Sequence, residues 1–267
     1  MGNDMLAMTS ALQVQVSHPR PSLKIVAGSS PTTRSIGPVA ADIWTSLQSR
    51  QQPTLLKTGE SLFFQADIVE HVYILKEGWA FRYQCLEDGR RQIVDFLLPG
   101  EVLGLGNSVS MTCGVEALTE ASFARFPRNE FTNLLRDRPE LTQYLMGVLW
   151  AGQERAFEHV TSVGRRTAKE RVSHLLLELI RRVQKISTTS GNTEMNLPLM
   201  QPHIGDALGL ASETVCRCLS DLRKNGILVL RSGHLEVLDI DRLAAEAGVD
   251  LEDLTNAASG ISVVART

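Results

Sequence analysis

Residues Gln201 to Gly226 read QPHIGDALGLASETVCRCLSDLRKNG, and this stretch decides the fold of the C-terminal half. Apolar side chains fall at Ile204, Leu208, Leu210, Val215 and Cys218. That spacing predicts two short helices that bury their inner faces against each other and leave one face of the second free. Gly205 stands where the helices must come close, and Gly209 where the chain must turn between them. Ser212 is expected as N-cap of the second helix, with Glu213 in its first turn. The free face offers Ser212, Glu213, Thr214, Cys216 and Arg217 as candidate DNA contacts, with Asn225 at its far end. Arginine can pair bidentately with guanine and glutamate can accept from a cytosine amino group, so Glu213 and Arg217 on adjacent turns can read base edges. The plainer alternative is two packed helices with solvated charges.

The following segment extends the motif. Ile227 to Leu230 and Leu235 to Leu238 flank the polar turn Arg231-Ser232-Gly233-His234, which predicts a two-stranded hairpin. A hairpin after the second helix makes a winged helix, with Arg231 and His234 at its tip as candidate phosphate contacts.

The 267-residue chain suits two domains. Hydrophobic residues at 43% and charged residues at 21% match a globular protein with sizeable cores. The net charge of −3 gives nucleic-acid binding no support, and residues 165–247 carry only 12 Lys and Arg against 10 Asp and Glu. Specific contacts must therefore carry the DNA argument. No apolar run is long enough to span a bilayer and no signal-peptide pattern opens the chain, so a cytoplasmic protein without membrane association is expected. Cys85, Cys113, Cys216 and Cys218 form no CxxC pair, and no His/Cys set has metal-ligand spacing. A phosphate-cradling Gly loop with Lys and an arranged nucleophile and base are also missing, so an enzyme is not expected.

Residues 1–37 lack periodicity and are expected as a flexible arm. A short amphipathic helix is predicted from Pro38 to Arg50. From Pro53 to Pro127, short apolar runs alternate with turns at Thr58-Gly59-Glu60, Lys76-Glu77-Gly78, Glu87-Asp88-Gly89 and Pro99-Gly100-Glu101. This predicts a small antiparallel β-roll with Leu62, Phe64, Val72, Ile74, Phe81, Val94 and Phe96 in its core. A helix from Arg128 to Arg138 closes a sensory domain over 38–138. Pro139 to Arg165 then reads as one long helix. Leu145, Leu149, Gly152, Ala156, His159 and Val163 recur at spacings of four and three, predicting a coiled-coil seam and a homodimer. Leu141, Val148 and Val160 supply a neighbouring face, so one face is expected on the roll and one on a twin. Gly164 is a plausible hinge, and Thr167-Ala168-Lys169-Glu170 is a capping box that starts the next helix. The DNA-binding domain is placed at 166–248, with a tail at 249–267 that includes a short helix at 251–258. The fold class is α+β.

A roll, a long dimerisation helix and a winged helix-turn-helix in this order resemble the Crp/Fnr family of bacterial transcription regulators, over roughly residues 40–248. The sharpest segments are Gly89-Arg90-Arg91-Gln92-Ile93 with Pro99-Gly100-Glu101, and Glu213-Thr214-Val215-Cys216-Arg217. The resemblance implies that Glu213 and Arg217 are the base-reading pair and that double-stranded DNA and RNA polymerase are partners. Ser212 stands where the cyclic-AMP receptor branch has arginine, and Cys216 where the Fnr branch has serine. The segment is closer to the Fnr/FixK branch, which implies a palindromic TTG-N8-CAA-like site and an activator in an oxygen- or redox-linked circuit.

The same resemblance frames what the roll could sense. The family's cyclic-nucleotide site uses a glutamate after a roll glycine and a following Arg-Ser pair. Here the stretch is Gly104-Leu105-Gly106-Asn107, the later position holds Met111-Thr112, and no arginine lies between Arg91 and Arg125. A buried phosphate would lack its cation, so cyclic AMP is not expected. The N-terminal arm has no cysteine, so an Fnr-type iron–sulfur cluster is not supported. Haem or another small ligand, through His71 or Cys85, is the alternative, although a lone His or Cys in a roll is usually structural. A regulator without cofactor is what these residues suggest. Cys216, on the reading face near a helix N-terminus, is a candidate redox switch.

Overall fold

The computed structural model describes residues 52–106, 110–186 and 194–249. The arm, the helix expected at 38–50, the loop around 188–192 and the helix expected at 251–258 lie outside the described residues.

Eight strands form the roll: β1 (Gln52–Leu56), β2 (Ser61–Phe63), β3 (His71–Glu77), β4 (Ala80–Cys85), β5 (Arg91–Leu97), β6 (Val102–Leu103), β7 (Gly114–Ala117) and β8 (Ala121–Pro127). They make two antiparallel four-stranded sheets, ordered β1-β8-β3-β6 and β2-β7-β4-β5. Phe63, Leu75, Leu97, Leu103, Val115 and Phe123 fill the space between them. The tight turns expected from glycine are present: Gly59, Gly78, Gly89 and Gly100 all have positive φ. At Gly78 a Cβ would lie 2.1 Å from the Glu120 carbonyl oxygen, so only glycine fits where β3 passes into β4.

Both outer faces of the roll are also covered. Val72, Ile74, Val102, Ala124 and Phe126 pack against Phe131 of helix α1 (Arg128–Asp137) and against Leu141 and Leu145 of α2 (Pro139–Arg165). On the other side, Phe81, Tyr83, Ile93, Phe96 and Leu98 join the core of the C-terminal domain. Two expected core positions are corrected here. The β4–β5 register steps from Arg82↔Asp95 to Tyr83↔Ile93, so Val94 is an extra, bulged residue and Ile93 takes the buried place. Phe64 is 59% exposed because β2 ends at Phe63, where a turn begins with the Phe64 N–H donating to Asp67 Oδ2 at 2.8 Å.

Helix α3 (Ala168–Ile186) starts at the expected capping box, with the Thr167 N–H on Glu170 Oε2 at 2.7 Å and the Glu170 N–H on Thr167 Oγ1 at 3.4 Å. Strand β9 (Glu194–Asn196), α4 (Gln201–Leu208), α5 (Ser212–Lys224), β10 (Leu228–Arg231), β11 (His234–Val237) and α6 (Ile240–Glu246) complete the C-terminal domain. Its core joins Val172, Leu176 and Leu179 of α3 to Ile204, Leu208, Val215, Leu222, Leu235 and Leu243. Helix α2 runs unbroken to Arg165, so Gly164 is helical and the break in direction falls at Arg166.

Candidate nucleic-acid interface

The reading unit is built as the glycines predict. Gly209 closes α4 in the left-handed region at φ 63°, and the Leu210 N–H donates to the Gly205 carbonyl at 3.0 Å. A Cβ on Gly205 would lie 2.6 Å from the Leu210 carbonyl oxygen. The helix after the turn begins one residue earlier than expected. Ala211 holds the capping position without a side-chain bond, its carbonyl accepting from the Thr214 and Val215 N–H groups, so Ser212 is the first helical residue and not the N-cap.

Val215, Cys218 and Leu222 bury one face of α5, while Glu213, Cys216 and Arg217 are exposed on the other. Arg217 Nη2 donates to Thr214 Oγ1 at 3.2 Å, which lays the guanidinium along the exposed face. Ser220 and Lys224 continue the row begun by Glu213 and Arg217 at helical spacing. They were open to the same periodicity argument, and sequence reasoning passed them over. Burial pushes the Cys218 thiol up, and Asp221 adds to the effect.

The wing is a three-stranded sheet, ordered β10-β11-β9. Arg231 pairs with His234 across a two-residue turn, with Ser232 and Gly233 at φ 48° and 79°. Arg231 is exposed. His234 is also exposed, but its Nδ1 lies 3.5 Å from Asn196 Oδ1 and its Nε2 3.7 Å from Glu194 Oε2. Those β9 partners were missed because a three-residue polar strand carries no periodic signal.

The residues expected to form one dimerisation face on α2 do not share one face. Leu145 is corrected: it is 6% exposed and belongs to the core between α2 and the roll. His159 is half-buried towards Asp95, and burial lowers its pKa despite that carboxylate. Gly152 and Val163 are half-buried, while Leu149 and Ala156 are exposed. The outward apolar stripe is instead Met146, Leu149, Trp150, Phe157 and Val160, with Trp150 61% and Phe157 62% exposed. The reason is geometric: α2 is apolar on more than one face, and the roll takes the one holding Leu141 and Leu145.

A buried charge cluster ties three parts of the chain together. Asp95 on β5 and Glu101 in the loop before β6 both receive Arg155 of α2, at 3.0 and 2.9 Å. The same carboxylates receive Arg182 of α3, each at 3.2 Å, and Arg182 also pairs with Glu178 at 3.2 Å. Burial works to raise the pKa of Asp95, but Arg182 and Arg155 outweigh it and hold the carboxyl below its ordinary range. Glu178 goes the other way, with burial outweighing Arg182. Sequence reasoning singled out Pro99-Gly100-Glu101 without seeing this role.

An exposed arginine–glutamate row on a helix packed against a short partner helix, followed by a wing, defines a winged helix-turn-helix DNA-binding protein. Residues 53–138 match the cyclic nucleotide-binding domain model, and residues 170–246 match the Crp-like helix-turn-helix domain model. The chain is 32% identical to the transcriptional activator protein FnrL of Cereibacter sphaeroides over 197 residues, covering 73% of this chain and 79% of the relative. It is 34% identical to the nitrogen fixation regulation protein FixK of Azorhizobium caulinodans over 192 residues, covering 72% and 77%. Among solved structures, FixK2 from Bradyrhizobium japonicum superposes with a TM-score of 0.66 at 31% identity, covering 73% of this chain and 96% of that one. The chain belongs to the Crp/Fnr family of transcription regulators. Among the described residues, no helix is long and apolar enough to cross a membrane.

Proposed function

We propose that the chain acts as a homodimer on a palindromic TTG-N8-CAA-like DNA site, recruits RNA polymerase and activates transcription in an oxygen- or redox-linked circuit. The observation that carries this reading is the exposed Glu213–Arg217 pair on the free face of α5, backed by a fully buried opposite face. The name of FnrL, a transcriptional activator protein, supports the activator reading, and the outward Met146–Val160 stripe supports a twin.

The residues present do not fit a cyclic nucleotide. Among the described residues, Arg128 beside the Gly104–Gly106 stretch donates to the carbonyls of Gly106 and Val69, and Arg82 donates to the Val102 carbonyl, so both guanidiniums are engaged with backbone. The residues do not fit an iron–sulfur cluster either, since Cys85 and Cys113 are in the roll and Cys216 and Cys218 are on α5. We therefore read the protein as set by its abundance and by thiol chemistry, with Cys216 exposed where an oxidised sulfur would face DNA.

The test is a mobility shift on a TTG-N8-CAA duplex and a scrambled one. Wild type prefers the palindrome, and Arg217→Ala lowers that affinity by about 1–3 kcal/mol while relaxing base preference. A monomer indifferent to sequence at low salt overturns the reading, and a uniform loss on every duplex reassigns Arg217 to a phosphate.

A further inference from the structure

Beside the shared apolar core, the Gly89-Arg90-Arg91-Gln92-Ile93 segment makes polar contacts from the roll to the reading pair. Arg91 Nε and Nη2 lie 3.0 and 2.9 Å from Asp206 Oδ2 on α4, while Nη1 lies 3.3 Å from Glu116 Oε2 on β7. The guanidinium carbon sits 5.0 Å from the centre of the Phe81 ring and 5.8 Å from that of Tyr83. Next to it, Gln92 Nε2 donates to the Ala207 carbonyl of α4 at 2.8 Å, and the Phe81 ring meets His203 of α4 at 5.8 Å between centroids. One short helix of the DNA-binding domain is thus held through an ion pair, a backbone-directed hydrogen bond and a ring contact.

We infer that Arg91 and Gln92 are positioning residues for DNA reading: they clamp α4 to the roll and thereby fix the angle at which α5 meets the duplex. This rests on the proposed function. The argument is mechanical. Helices α4 and α5 share one core, and the turn joining them is tied back to α4 by the Leu210 N–H on the Gly205 carbonyl at 3.0 Å, so whatever holds α4 holds the reading helix. Strand β5 grips the C-terminal domain at two places, Arg91 and Gln92 on α4, and Asp95 and Phe96 on Arg182 of α3. At about 3.4 Å per residue, and with Val94 bulged out, these places are about 10 Å apart along the strand. The shared apolar core seats the C-terminal domain on the roll, and the two polar attachments fix its rotation on that seat. The clamp uses the side of α4 holding His203, Asp206 and Ala207 and leaves Glu213, Cys216 and Arg217 exposed, so the held state can read DNA. A two-fold dimer must present its two reading helices about 34 Å apart, which makes that angle decisive for two half-sites and irrelevant for one.

The experiment uses the full chain, with R91A and the charge swap R91D/D206R. The swap keeps opposite charges on β5 and α4 with the cation moved to α4. In free protein, amide hydrogen exchange across 201–208 is faster in R91A than in wild type and returns in the swap. On DNA, R91A binds a single half-site fragment as wild type does. It loses about tenfold on TTG-N8-CAA, and its preference for that spacing over duplexes one or two base pairs longer or shorter flattens. The swap recovers both. Unchanged exchange in R91A, or equal loss on single and paired half-sites, overturns the clamp. A wild-type chain that ignores half-sites altogether overturns the proposed function and the positioning role with it, whatever the exchange shows.

Discussion

Arg182 and Phe96 stand 86 positions apart in the chain and are joined by a 2.6 Å hydrogen bond from Nη2 to the Phe96 carbonyl. The bond carries α3 into the roll beside the Asp95–Glu101 carboxylates. Arg182→Ala removes one of the two arginines bonded to those carboxylates and strands a buried carbonyl. A loss of about 3–5 kcal/mol is expected, read from urea unfolding of the whole chain. Arg182→Lys keeps the charge but not the fork, and its midpoint should fall between the two. A midpoint unmoved in Arg182→Ala would mean that the cluster is held without this residue.

The two faces of α2 predict opposite phenotypes. Leu145→Ala cuts into the roll's own core and should cost about 2–5 kcal/mol with oligomeric state unchanged. Phe157→Glu puts a carboxylate on the outward stripe and should shift the proposed dimer towards monomer by about 2 kcal/mol or more, seen by sedimentation; a wild-type chain that is itself monomeric overturns the dimer. Reversal of the two outcomes would restore Leu145 to the seam.

His174 gives the elbow between α2 and α3 a pH dependence. Burial, with the nearby Arg166, lowers its pKa from 6.5 to about 4, although Glu158 lies 3.4 Å from Nε2 and favours the cation. The imidazole is therefore neutral in the folded chain at pH 7. Between about 6.5 and about 4 only the unfolded chain takes up the proton. The stabilisation is complete above this window and is lost as pH falls through it, by up to about 3 kcal/mol. Urea midpoints across the window should fall more steeply in wild type than in His174→Gln; parallel slopes would assign the acid response to other groups.

The two α5 cysteines should differ in reactivity. Cys216 is exposed and Cys218 is buried with its thiol pushed up, so alkylation should label Cys216 first. If Cys216 is the switch, peroxide weakens DNA binding in wild type and spares Cys216→Ser. Equal sensitivity in both proteins rejects the switch.

What could be read in advance followed locality. Pro139 at a helix start, the Thr167–Glu170 capping box and the Gly205–Gly209 spacing are short-range signals, and the helices they delimit begin and end close to where those residues place them. Val94 and Ile93 were exchanged because a bulge resets the inward alternation and leaves no mark in a strand's own sequence. Leu145 was misplaced because periodicity finds apolar faces without saying which neighbour claims each. Arg91 and Asp206, 115 positions apart, each look like an ordinary surface charge until the chain is folded. The proposed reading pair, Glu213 and Arg217, could be laid on one exposed helix face in advance because its geometry lies within two turns of one helix.

Strand β9 places the wing's middle strand, β11, between two hydrogen-bonded neighbours, with Asn196 opposite His234 and Met195 opposite Leu235. A two-stranded tongue can twist to follow a groove; a three-stranded one is stiffer across its width. The segment entering α4 is sewn to the same sheet, so the tongue and the first helix of the reading pair travel as one piece. If the wing tip meets DNA through Arg231 and His234 as proposed, the duplex rather than the tongue must adapt, and sites whose base steps bend easily are favoured even at positions no side chain touches.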